Sequence, residues 1–135
     1  MNNKCVVFYE SWQMECCGIP FTLGNTVKWL VYGNVGLNTP GYAGKIDYCY
    51  EAHSSDWKKL LVLEGKADKI EILYQKYMPS ENNPQLLVPV CGEIVKTENA
   101  KGFENDINDM KAVGYIVTVS DYTVRQAKQD EVIFK

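Results

Sequence analysis

Hydrophobic and polar residues alternate along much of this chain with a period of two, the spacing of a half-buried strand. Lys4-Cys5-Val6-Val7-Phe8-Tyr9-Glu10 is β-branched and aromatic, and predicts a first strand. Ser11 to Glu15 either continue it or turn away. If extended, they set Trp12, Met14 and Cys16 on one face, with Gln13, Glu15 and Cys17 on the other. Gly18-Ile19-Pro20 forces a turn, because Pro20 fixes its own φ and biases Ile19 away from helix. Gly24-Asn25 is a second turn signal. After it Val27, Trp29 and Val31 alternate with Lys28, Leu30 and Tyr32, which predicts a further strand.

The next stretch, 33–44, holds four Gly and one Pro and reads as a long loop, a feature often tied to function. Residues 45–53 predict a strand with Asp47, Cys49, Glu51 and His53 on one face and Ile46, Tyr48, Tyr50 and Ala52 on the other. Residues 57–60 suggest one helical turn. Leu61-Val62-Leu63 and 69–77 predict two strands, joined as a hairpin through Glu64 to Asp68. Residues 79–84 form an exposed turn. Residues 86–95 predict a strand broken at Pro89 and Gly92, and so placed at an edge or with a bulge. The polar stretch 99–110 is a candidate short helix. Residues 114–119 predict a strand that Tyr122-Thr123-Val124 extends past a bend at Ser120-Asp121. Val132-Ile133-Phe134 is short and apolar, able to pair back on the sheet. The expected fold is therefore mainly β: one domain spanning 1–135, a small antiparallel barrel or sandwich of roughly six to eight strands with one or two short helices. An α+β fold is the alternative, should 54–62 and 99–112 both be helical.

Composition narrows the function. At 46% hydrophobic and 23% charged residues the chain resembles an ordinary globular protein. No apolar run approaches the ~20 residues of a membrane-spanning helix, and the N-terminus lacks the pattern of an export signal. Both point to a cytoplasmic protein. The net charge of −3 argues against a nucleic-acid surface. Of the 14 basic residues Arg125 is the single Arg, so bidentate forks for phosphate or guanine are almost absent. No phosphate-binding Gly loop and no hydrolase elbow occurs.

Chemistry concentrates in the five cysteines, the single histidine and a crowd of aromatics in the first half. Cys16, Cys17, Cys49 and His53 are the candidate metal set, since thiolates and an imidazole suit zinc. Spacing weighs against it: Cys49 and His53 stand roughly 13 Å apart if both lie on one strand, and vicinal cysteines seldom share a metal. Cys16 or Cys17 with His53 and either Asp47 or Glu51 is the candidate set for a cysteine-dependent enzyme. The alternative for all these thiols is packing as small hydrophobes. Among the aromatics most belong to a core, while a few line a cleft near the 33–44 loop. Trp12, Gln13 and Tyr42 are the expected exposed members there.

Trp12-Gln13-Met14-Glu15-Cys16-Cys17-Gly18-Ile19-Pro20-Phe21, followed by Gly24, Val27 and Trp29, resembles the opening of an uncharacterised bacterial family of unknown function. That family carries Trp-Gln-Met-x-Cys-Cys-Gly-x-Pro-Phe, an acidic-then-histidine stretch like Glu51-Ala52-His53, and a late segment like Gly114-Tyr115-Ile116-Val117. The resemblance implies a cytoplasmic domain and marks these residues without assigning an activity. The reading is a non-enzymatic module that binds a small molecule or a protein, with neither nucleic acid nor membrane as partner. Its expected site comprises Trp12, Gln13, Cys16, Cys17, Tyr42, Glu51 and His53.

Overall fold

The computed structural model describes residues 3–11, 13–14, 19–33, 42, 44–51, 56–102 and 104–131. These residues are mainly β. The strands are β1 (Lys4–Glu10), β2 (Phe21–Thr22), β3 (Thr26–Gly33), β4 (Tyr48–Tyr50), β5 (Leu61–Pro79), β6 (Leu87–Thr97), β7 (Asn99–Ala100) and β8 (Lys111–Gln126). Helical backbone among the described residues is confined to Ser11, Gln13 and Met14 and to two 3-10 turns at Trp57–Lys59 and Gln129–Glu131. The α+β alternative is thereby set aside.

The pairings of the main sheet return on themselves. β1 pairs with β8 and, in parallel, with β4; β4 pairs with β3, β3 with β5, and β5 with β8. β6 lies outside this ring, against the second half of β5. Period-two alternation explains the closure, because every strand of the ring turns one apolar face inward. Cys5, Val7 and Tyr9 of β1 stand opposite Val119, Val117 and Tyr115 of β8. They pack in one cluster with Val27, Trp29, Val31, Ile70 and Ile72. The reverse face is apolar only locally, where Phe8, Ile46, Cys49, Leu73 and Ile116 form a second cluster. The buried Tyr115 hydroxyl accepts from the Gly102 N–H at 3.0 Å and donates to Glu104 at 3.0 Å, tying the β7–β8 connection to the core.

Three expectations are corrected. The hairpin at 64–68 does not form: β5 runs unbroken for 19 residues. Leu63, Gly65 and Ala67 are buried while Glu64, Lys66 and Asp68 are exposed, so this charged stretch alternates as a strand rather than turning. Gly65 lets β5 cross β8 closely, since a Cβ there would lie 2.6 Å from Val119 Cγ1 and 2.9 Å from the Ser120 carbonyl oxygen. Asp121 opposite takes a left-handed φ of 50°, and the register shifts between Glu64 and Lys66, which is the bend expected at 120–121.

The stretch 99–110 is not helical either. After β7 it ends in a tight turn, with Asn108 and Asp109 at φ 47° and 61° and mutual backbone bonds between Ile107 and Met110. Asn and Asp tolerate the left-handed region, so their density signals a turn here. Lastly, the strand expected at 45–53 begins only at Tyr48 and is seen over Tyr48–Tyr50, with Ala52 and His53 outside the described residues. Ahead of it, the Asp47 carboxylate accepts from the Val6 N–H at 2.9 Å and fastens the approach to β1. Ile46 and Cys49 consequently share one cluster instead of opposite faces.

The remaining strands fall where expected. β3 buries Val27, Trp29 and Val31, and the Gly24 turn before it has φ 92° with the Asn25 N–H bonded to the Thr22 carbonyl at 3.0 Å. β6 is the outer strand, with an irregularity between Lys76 and Tyr77 of its partner as the Pro89 region passes. The apolar run 132–134 lies outside the described residues.

Candidate functional site

Among the described residues the pairing of β4 with β3 covers Val31 to Gly33 and continues to the Glu51 N–H on the Leu30 carbonyl at 3.0 Å. The first half of β3 pairs with β5 and lines a cleft of about 390 Å³. Ile19, Pro20 and Phe21 form the opposite wall. The volume falls within the usual range for small-ligand sites.

Four aromatic rings floor this cleft. Tyr9 and Tyr50 stack with centroids 3.7 Å apart, and Trp29 meets Tyr9 edge-on at 5.3 Å. Phe21 meets Trp29 at 5.1 Å in a T-shaped contact. Such contacts each add about 0.5–1.5 kcal/mol beyond area burial. Polar groups sit at its margin: Asn25, Thr26 and Lys28. The Asn25 side-chain oxygen accepts from the Thr22 N–H at 2.9 Å, which holds the turn at the mouth.

The expected site residues distribute unevenly. Trp12, Cys16, Cys17 and His53 lie outside the described residues. Gln13 is not an exposed member: it is 1% exposed, and its Nε2 donates to the Tyr50 carbonyl at 3.0 Å. The helical backbone at Ser11, Gln13 and Met14 turns this amide inward, where the end of β4 accepts its proton. Tyr42 is half-buried against the Phe8–Ile116 cluster, on the reverse face of the sheet from the aromatic cleft. Burial, with Glu71 and Asp47 nearby, raises its hydroxyl pKa. Glu51 is half-buried, beside the cleft's Tyr50. Gln13 donates to Tyr50, and Phe21 and Tyr50 both pack on Tyr9.

The described thiols separate by environment. Cys5 is buried in the ring, and burial, followed by the charge of Asp47, pushes its thiol up to about 12. Cys49 is buried on the reverse face and its thiol is also pushed up by burial, although the Tyr32 hydroxyl donating to it partly offsets this. Both pack as small apolar groups. Cys91 is exposed on β6. Among the described residues no three His, Cys, Asp or Glu side chains gather as metal ligands.

Missed from the sequence were Asn25, Thr26 and Lys28 as the margin of the site. Phe21, Trp29 and Tyr50 belonged to the aromatic set but not to one wall. The Gly24-Asn25 turn was the available signal.

A strand ring with an aromatic-lined cleft beside β3 defines a small β domain. The chain belongs to the family of unknown function DUF6578, whose model matches residues 3–121. That match covers the ring from β1 to the bend in β8. Comparison with curated proteins and with solved structures gives no match. Among the described residues no helix is long and apolar enough to cross a membrane.

Proposed function

We propose that this chain is a non-enzymatic binding module of the cytoplasm, whose ligand seats in the cleft between β3 and the Ile19–Phe21 wall. One observation carries the reading: a cleft of about 390 Å³ is floored by Tyr9, Phe21, Trp29 and Tyr50, with Asn25, Thr26 and Lys28 at its margin. An apolar floor with a few polar groups is the general build of a ligand site. The described thiols fit the same reading. Cys5 and Cys49 are buried and held protonated, which suits neither a nucleophile nor a thiolate ligand. Free buried thiols also suit a reducing compartment.

The test is a screen of small aromatic and heteroaromatic fragments read by protein-detected NMR. Hits should perturb Val27, Trp29 and Tyr50 together and leave Val117 and Ile70 unchanged. Hits that cluster elsewhere, with no shift at Trp29, refute the assignment.

A further inference from the structure

The helical backbone at Ser11, Gln13 and Met14 backs the aromatic floor of the cleft. Ser11 Oγ donates to the Ala112 carbonyl at 3.1 Å, which fastens the start of this segment to β8. Met14 is 3% exposed and shares a cluster with Tyr9, Phe21, Trp29 and Tyr50. It packs on Gly102, where a Cβ would come within 3.2 Å of the Met14 Cγ. Between these two anchors the Gln13 Nε2 donates to the Tyr50 carbonyl at 3.0 Å, and the Glu10 carboxylate lies 3.5 Å from the same nitrogen. β1 and β4 run in parallel and pair at Val7–Tyr48 and Phe8–Cys49. Past those rungs one buried amide bridges the two strands, reaching Glu10 of β1 and Tyr50 of β4.

Resting on the binding reading of the same cleft, we infer that Gln13 is its positioning residue: the amide fixes the end of β4 and so sets the Tyr50 ring in the floor. That ring stacks on Tyr9 with centroids 3.7 Å apart and meets Trp29 edge-on at 6.1 Å. All three rings line the cleft, so a shift of the backbone at Tyr50 passes directly into its shape. A buried carbonyl stripped of its donor carries an uncompensated desolvation cost, which drives the chain at Tyr50 to another position. Gln13 therefore acts on a ligand through Tyr50.

The decisive variant is Gln13→Glu, a near-isostere whose carboxyl donates to the Tyr50 carbonyl only while it is protonated. Burial, Glu10 beside it and Glu51 next to Tyr50 all oppose ionisation, so this carboxyl titrates above the ~4.3 of a free glutamate. Gln13→Met keeps the length of the side chain and lacks the donor at every pH. The probe is indole, and Tyr50, Trp29 and Val117 are followed by NMR with and without it. Near about pH 5 the Gln13→Glu protein should match the wild type at Tyr50 and Trp29. Toward about pH 8 both resonances should move and indole should bind about tenfold more weakly than to the wild type, with Val117 still protected from exchange. Gln13→Met should show the weak binding at both values.

Tyr50 and Trp29 resonances that ignore pH in Gln13→Glu overturn the positioning role, as does wild-type affinity for indole in both variants. Loss of Val117 protection in both variants even near about pH 5 also overturns it, because Gln13 is then a prop of the whole sheet. If neither indole nor any fragment of the screen moves Trp29 in the wild type, the cleft is not a ligand site. The ligand-free response of Tyr50 then still decides whether Gln13 sets its ring.

Discussion

The two sides of the ring teach opposite lessons about closure. On the β1–β8–β5 side every strand is flanked by partners, and β8 pairs with β1 over seven positions and with β5 over nearly its whole length. On the β3–β4 side the described ladder spans Val31 to Gly33, and a cleft lies beside Trp29. Both sides use alternating β-branched and aromatic residues, so composition does not separate them. The difference lies in how the neighbours are seated: β1 lies along β8 for its whole length, whereas β4 is fastened at its start by the Asp47 clasp on β1 and meets β3 at Val31 to Gly33.

The largest expected contrast is in hydrogen exchange. Ile116 and Val117 lie on a strand paired on both sides, and should exchange only by global opening. That protection is at least about 10⁴-fold for a domain of ordinary stability. Glu81, in the exposed turn after β5, should exchange close to the rate of an open chain. Comparable protection at Glu81 and Val117 contradicts this.

Mutation should follow the same division. Ile70→Ala removes a 1%-exposed side chain from the interior and should cost about 2–5 kcal/mol in denaturant unfolding. Lys28→Ala, at the exposed margin, should stay within about 0.5 kcal/mol. A cost at Lys28 rivaling that at Ile70 means that the seam is part of the folding core.

A smaller effect concerns alkali. Burial raises the Cys5 thiol from 9.0 to about 12 and the Tyr115 hydroxyl from 10.0 to about 12. Because both folded values lie above the unfolded ones, this stability is intact below pH 9 and lost as pH rises toward 12. Strand circular dichroism should fall within that window, and Cys5 should resist iodoacetamide until it does. An adduct on Cys5 in fully folded protein contradicts the burial.

Much of the architecture was legible in the residues. Val27, Trp29 and Val31 announced β3, Pro89 announced an outer strand, and Gly114 to Val119 announced the centre of β8. The hairpin at 64–68 was misread because Glu, Gly, Lys and Asp favour turns, yet their alternation with Gly65 and Ala67 outweighed that preference once β8 lay alongside. At 99–110 the same kinds of residue pointed to a helix and gave an Asn108-Asp109 turn. The candidate site was partly legible, through Phe21, Trp29 and Tyr50 as aromatics. Its position depends on how Phe21, Trp29 and Tyr50 are brought together from three separate stretches, which no local pattern encodes. Gln13 was expected outside, since a polar amide usually is; the Tyr50 carbonyl at 3.0 Å satisfies it inside.

The first strand and the last are partners, with Lys4 set against Ser120 and Glu10 against Gly114. A nascent chain leaving the ribosome must therefore hold Val6, Val7 and Phe8 without their companion until more than a hundred further residues have been made. Assembly waits on that final piece, and a product truncated before residue 111 would expose the apolar stripe of β1 to chaperones and proteases.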